Sequence, residues 1–87
     1  MDKKHIAVVS ILTEDRGAHA EQINQILSGH SHLVVARLGV NLEPRCVEKC
    51  SGLVTVIAEA TLEELRELTE KLDDFPEVTS KTIIMTE

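Results

Sequence analysis

Ile6-Ala7-Val8-Val9-Ser10-Ile11-Leu12 and Leu53-Val54-Thr55-Val56-Ile57-Ala58 are the stretches whose reading decides the fold. Successive side chains of a strand point to opposite faces, and in both runs the two alternating sets are largely apolar. Strands of this kind need cover on both sides and belong in the middle of a sheet. A chain of 87 residues has room for two helices, enough to cover one face of a small sheet. The other face is then left for a second copy of the chain. An exposed apolar surface of that size is unusual for a monomer. Val54 or Val56 is expected to point away from the helices, where an introduced charge would split the assembly.

Working outward, Thr13-Glu14-Asp15-Arg16-Gly17 supplies a turn after the first strand. Ala20, Ile23, Ile26 and Leu27 then fall on one helical stripe, with Gly29 as its stop. Residues 33–40 read as a second strand, and residues 41–51 form a polar connection longer than a tight hairpin needs. Thr61-Leu62-Glu63-Glu64 is a capping box that opens a second helix, with Leu62, Leu65, Leu68 and Leu72 as its buried stripe. Phe75-Pro76 ends that helix, and residues 78–85 make the last strand. The order βαββαβ predicts an α+β, ferredoxin-like single domain over residues 1–87, with a four-stranded antiparallel sheet and two helices on one face. Its central strands are the two runs quoted first. The edge strands carry Arg37 and Lys81, charges that discourage uncontrolled pairing.

Composition excludes several functions. Nine Lys and Arg against fifteen Asp and Glu give a net charge of −6, which repels phosphate backbones where no basic patch intervenes. Relatives of this architecture that bind RNA need aromatics on the central strands, and the chain has one aromatic residue, Phe75. Nucleic-acid binding is therefore not expected. No apolar run reaches about 18 residues, and the opening leads straight into a strand, so neither a membrane span nor a signal peptide is expected and the cytoplasm is the default. Walker loop, dinucleotide fingerprint, His-Glu-x-x-His and nucleophile elbow are all missing, which argues against an enzyme.

Two places carry candidate sites. Asp15, Arg16, Gly17 and Ala18 stand at the mouth of the first helix, where backbone amides favour an anionic effector. Asp15 is equally a helix cap, and Arg16 could pair with a ligand carboxylate or with an acidic side chain of the chain itself. Cys46 and Cys50, four residues apart after Pro44, would share one side of a helical turn. Free thiols are the plainest reading. Two chains meeting at a symmetry axis could instead supply four thiolates to zinc or iron, and a redox disulfide is a third option. His30 and His32 are further candidate ligands, and His19 is a weaker one; His30 also suits the carbonyl end of the helix without any metal.

One resemblance covers most of the chain. Ile6-Ala7-Val8-Val9 leading to Glu14-Asp15-Arg16, Val34-Val35-Ala36-Arg37-Leu38-Gly39-Val40, and Leu68-Thr69-Glu70-Lys71-Leu72 with Val78 and Lys81 resemble, in order and spacing, the stand-alone ACT-like regulators of the iron-only hydrogenase system. The resemblance implies a regulatory ACT-like subunit that assembles through its sheet, here expected as a dimer or tetramer; with no segment left to read DNA, such a sensor is expected to pass its signal to a protein partner or to change its own assembly. A more distant similarity links the chain to the C-terminal domain of nickel-responsive repressors. Leu38-Gly39-Val40-Asn41 stands where their strand histidines would be, so that nickel site is broken here. Three functions follow for comparison: an effector-binding regulator with its site at a subunit interface near Gly17, a metal or redox sensor built on Cys46 and Cys50, and an adaptor without ligand.

Overall fold

The structure, a computed structural model, describes residues 3–42, 45–47 and 50–86. Its elements are β1 (His5–Thr13), α1 (Arg16–Gly29), a 3-10 turn (Ser31–Leu33), β2 (Val34–Asn41), β3 (Gly52–Ala60), α2 (Leu62–Asp73) and β4 (Val78–Ile84). The sheet is antiparallel in the order β2-β3-β1-β4, so the two runs apolar on both sides are the central strands. Both helices lie on one face.

The core follows from strand alternation. Ala7, Val9 and Ile11 of β1 and Val56, Ala58 and Ala60 of β3 are buried beneath Ile23 and Leu27 of α1 and Leu65, Leu68 and Leu72 of α2. Val56 is fully buried and Val54 packs against the same core, so neither points away from the helices as expected. The outward set of β3 is Leu53, Thr55, Ile57 and, at its end opposite Ile6, Glu59; the first three carry the middle of the face. Pairing extends them into three rows across the sheet: Val40, Leu53, Leu12 and Thr79; Leu38, Thr55, Ser10 and Lys81; Ala36, Ile57, Val8 and Ile83. The outer rows are mainly apolar. The middle row is partly polar, with the Ser10 and Thr55 hydroxyls 3.3 Å apart.

Local chemistry sets the helix boundaries. Asp15 caps α1, its Oδ1 accepting from the Ala18 amide at 3.2 Å. Both halves of the capping box form on α2: the Glu64 amide donates to Thr61 Oγ1 (3.1 Å) and the Thr61 amide to Glu64 Oε1 (2.9 Å). The bond from the Thr61 backbone is the main reason the Glu64 carboxyl lies below its ordinary pKa. Leu62, counted in the buried stripe, is 58% exposed, because a residue one step past the cap precedes the turn that meets the sheet. Of the edge charges, Lys81 belongs to the open face, whereas Arg37 donates to Asn24 Oδ1 of α1 at 2.7 Å.

Candidate functional site

The turn after β1 is held on both sides. Glu14 donates to the Glu77 carbonyl (3.0 Å) and Arg16 to the Cys50 carbonyl (2.9 Å), tying the turn to β4 and to the end of the connection before β3. With the Ala18 amide taken by Asp15, two of the amides expected to meet an anion already have partners within the chain. A Cβ at Gly17 would lie 3.6 Å from Asp15 Oδ1, an ordinary contact, so space does not demand the glycine. Arg16 forms no ion pair among the described residues. Its Nη1 donates to the Ser51 carbonyl at 3.3 Å, one of the five N–H donors a guanidinium carries.

Beneath the first turns of α1 lies a cavity of about 150 Å³, on the side of β2 and β3. Ile11, Ile23 and Val54 wall it on the helix side of the sheet, Val40 and Leu53 border it although their row belongs to the open face, and Thr13, Arg16, Asn24 and Gly52 make its polar or open parts. Missing side chains explain it. Gly39 pairs with Val54 and Gly52 with Thr13, so β2 and β3 present no side chain toward α1 at these two points. The Arg16 stem covers Gly52, where an added Cβ would stand 3.3 Å from Arg16 Cβ. Thr13 is 4% exposed, and its hydroxyl has no partner among the described residues. Thr13 had been read as the start of a turn; it is the buried last residue of β1.

The second candidate site divides in two. Cys46 and Cys50 are joined as a disulfide, so neither is the free thiol expected, and residues 45–47 are not helical. Pro44, expected to begin a helical turn, lies outside the described residues. Cys50 is bonded to the N-terminal end of α1 through Arg16, whereas His30 caps its C-terminal end. A helix of 14 residues spans roughly 20 Å, so the four proposed ligands do not converge within one chain. Among the described residues no group of three or more His, Cys, Asp or Glu could hold a metal ion.

The histidines have other neighbours. His19 lies against Phe75, ring centroids 5.6 Å apart, and His30 stacks on His32 at 6.4 Å across a 3-10 turn rather than an extended segment. Lys71 Nζ donates to His30 Nε2 at 3.0 Å, and His32 Nε2 is 3.9 Å from Glu64 Oε2. Burial, then the Lys71 charge, then His32 hold the His30 imidazole below its ordinary value of 6.5, against smaller opposing effects of Glu67 and Glu64. The folded state thus binds fewer protons at this site than the unfolded chain. Its stabilising contribution is complete above the unfolded value and is lost as pH falls through the lowered folded value. The melting temperature should fall as pH drops below 6.5, and less steeply in His30→Gln. Equal slopes for the two proteins would contradict this assignment.

Residues 5–82 match the model of the TM1266-like family, described as a regulator of the iron-only hydrogenase system. The fold is similar to that of protein TM1266 from Thermotoga maritima (TM-score 0.85, 20% identity, covering 97% of this chain and 100% of that one). It is also similar to the ACT domain of GTP pyrophosphokinase from Chlorobium tepidum (0.72, 16% identity, 93% and 100% covered). CPII, a nitrogen regulatory PII-like protein from Thiomonas intermedia K12 bound to ADP, AMP and bicarbonate, is a further neighbour (0.55, 23% identity, 98% of both chains). No curated protein matches significantly. The ferredoxin-like arrangement expected from the element order, ACT-like by the family resemblance, is the one these neighbours share.

Proposed function

The chain belongs to the TM1266-like family of iron-only hydrogenase system regulators, and from that membership we propose a non-catalytic regulatory module of the cytoplasm. In this reading it works as a homo-oligomer, dimer or tetramer, and responds to a small effector held at a subunit interface near the turn formed by Asp15, Arg16, Gly17 and Ala18. The observation that carries it is the open face of the sheet. Leu38, Val40, Ile57 and Ile83 are all exposed there, next to Val8 and Leu53. Four strands about 4.8 Å apart and seven residues long make a face of roughly 20 by 24 Å. Covering it on two copies removes on the order of 1,000 Å² from water, enough for a specific interface. A second copy is the natural occupant because the same rows meet themselves about a twofold axis. An effector that binds one arrangement of subunits more tightly than another shifts the population between them, and a protein partner reads the shift.

A second reading rests on the Cys46–Cys50 disulfide. Disulfides in the cytosol are usually transient and redox-sensing. Two-electron reduction by a dithiol, itself oxidised to a disulfide, would leave two thiols and release the segment whose Cys50 and Ser51 carbonyls hold Arg16.

Native mass spectrometry of anaerobically purified protein, before and after dithiothreitol, tests both. The regulator reading expects an oligomer that carries, or changes its subunit number on binding, a small organic mass. The sensor reading expects the change to follow reduction, with retained zinc or iron assigning the thiols as ligands. A bare monomer under all conditions overturns the interface on which the regulator reading depends.

A further inference from the structure

The cavity beneath α1 is partly open and brings together one cation, one unsatisfied hydroxyl and the Asn24 amide, whose oxygen already accepts from Arg37. Among the described residues that line it, Arg16 is the only charged one, and Thr13 contributes a buried hydroxyl without a partner. The remaining walls are chiefly aliphatic. A cavity of about 150 Å³ equals an engineered one that admits benzene, which sets the occupant at about six or seven non-hydrogen atoms.

We propose that this cavity is a binding site for a short, branched aliphatic monocarboxylate, with its carboxylate between Arg16 and Thr13 and its alkyl group against Ile11, Ile23 and Val54. The assignment rests on the reading that Arg16 belongs to an effector site, and it adds the class of effector and a pocket bordered by Val40 and Leu53 of the open face. Arg16 suits the role because a guanidinium can hold a carboxylate with two parallel hydrogen bonds while its stem stays on Gly52. Thr13 then donates to the second face of the carboxylate and loses its unpaired state. Selectivity follows from shape: the aliphatic wall rejects polar chains, and the volume rejects fatty acids.

The probe is 3-methylbutanoate, titrated into the oxidised, full-length protein and followed by methyl carbon-proton NMR. Saturable shifts are expected at Ile11, Ile23 and Val54, with a dissociation constant of about 1 mM or below. Thr13→Val, close to isosteric, should weaken binding about tenfold, and Arg16→Gln by more. 3-Methylbutanol, which keeps the alkyl group and loses the charge, should bind at least about tenfold more weakly than the carboxylate. Absence of saturation at about 20 mM, or equal affinity for the alcohol, would overturn the assignment. A protein that ignores the carboxylate yet retains a different organic mass on purification also overturns it, and leaves the broader effector reading standing.

Discussion

Ile57→Lys is expected to convert the proposed oligomer to monomers while leaving the fold intact. Ile57 sits on central strand β3, between Val8 of β1 and Ala36 of β2, in an outer row of the open face. It is 40% exposed in the single subunit, so a lysine there finds water in the monomer and loses only the strand preference of isoleucine, within about 1 kcal/mol. In the proposed assembly the same position would be covered. A twofold interface buries two ammonium groups at once, each opposed by several kcal/mol of desolvation. At 1.4 kcal/mol per decade the dissociation constant rises by at least about 10³, enough to leave monomer at micromolar concentration. Light scattering after size exclusion reports the mass, and circular dichroism reports the fold. Leu62→Lys, on the exposed start of α2, serves as the control that should keep the native size. If both Ile57→Lys and Leu38→Lys retained the native mass, the open face would not be the interface.

The central strands were legible because alternation with both sets apolar has one economical solution, burial on both faces, and the topology that places β1 and β3 inside the sheet meets it independently. The capping box was legible because its chemistry is confined to four consecutive residues. The parity of Val54 and Val56 was not. Both alternating sets of β3 are apolar, so nothing within the run says which set meets the helices; that is set by pairing with β1, where Val9 stands opposite Val56. The cavity was equally hidden. It depends on Gly39 and Gly52 being brought beneath α1 by cross-strand register, and an absent side chain leaves no periodic signal. Asp15 and Arg16 were singled out from the turn itself, but what they do is set elsewhere in the chain: the Cys50 and Ser51 carbonyls take the Arg16 donors, and the first helical turn takes Asp15.

Val56→Lys, one residue from Ile57, should fail to fold. Val56 is completely buried and opposes Val9, also completely buried, with α1 and α2 packed above the sheet. Replacing it removes an apolar side chain whose burial contributes about 1.5–3 kcal/mol. A lysine in its place must either keep its charge in an apolar core or lose it. A downward pKa displacement of about 3–5 units, at 1.36 kcal/mol each, adds roughly 4–7 kcal/mol. Together these reach about 5–10 kcal/mol, against roughly 4–13 kcal/mol for the whole stability of a domain this size. The longer stem of lysine has no route to water at this position, because α1 and α2 cover the face it enters. Expression in the insoluble fraction, or a soluble product without a cooperative thermal transition, is the expected outcome. Val54, only partly buried, should tolerate the same change better. The comparison with Ile57 isolates the face, since both substitutions add the same group to the same strand at neighbouring positions. If Val56→Lys gave a folded monomer and Ile57→Lys an unfolded chain, β3 would be turned over by one residue, and the open face, its rows and the interface built from them would all move to the other side of the sheet.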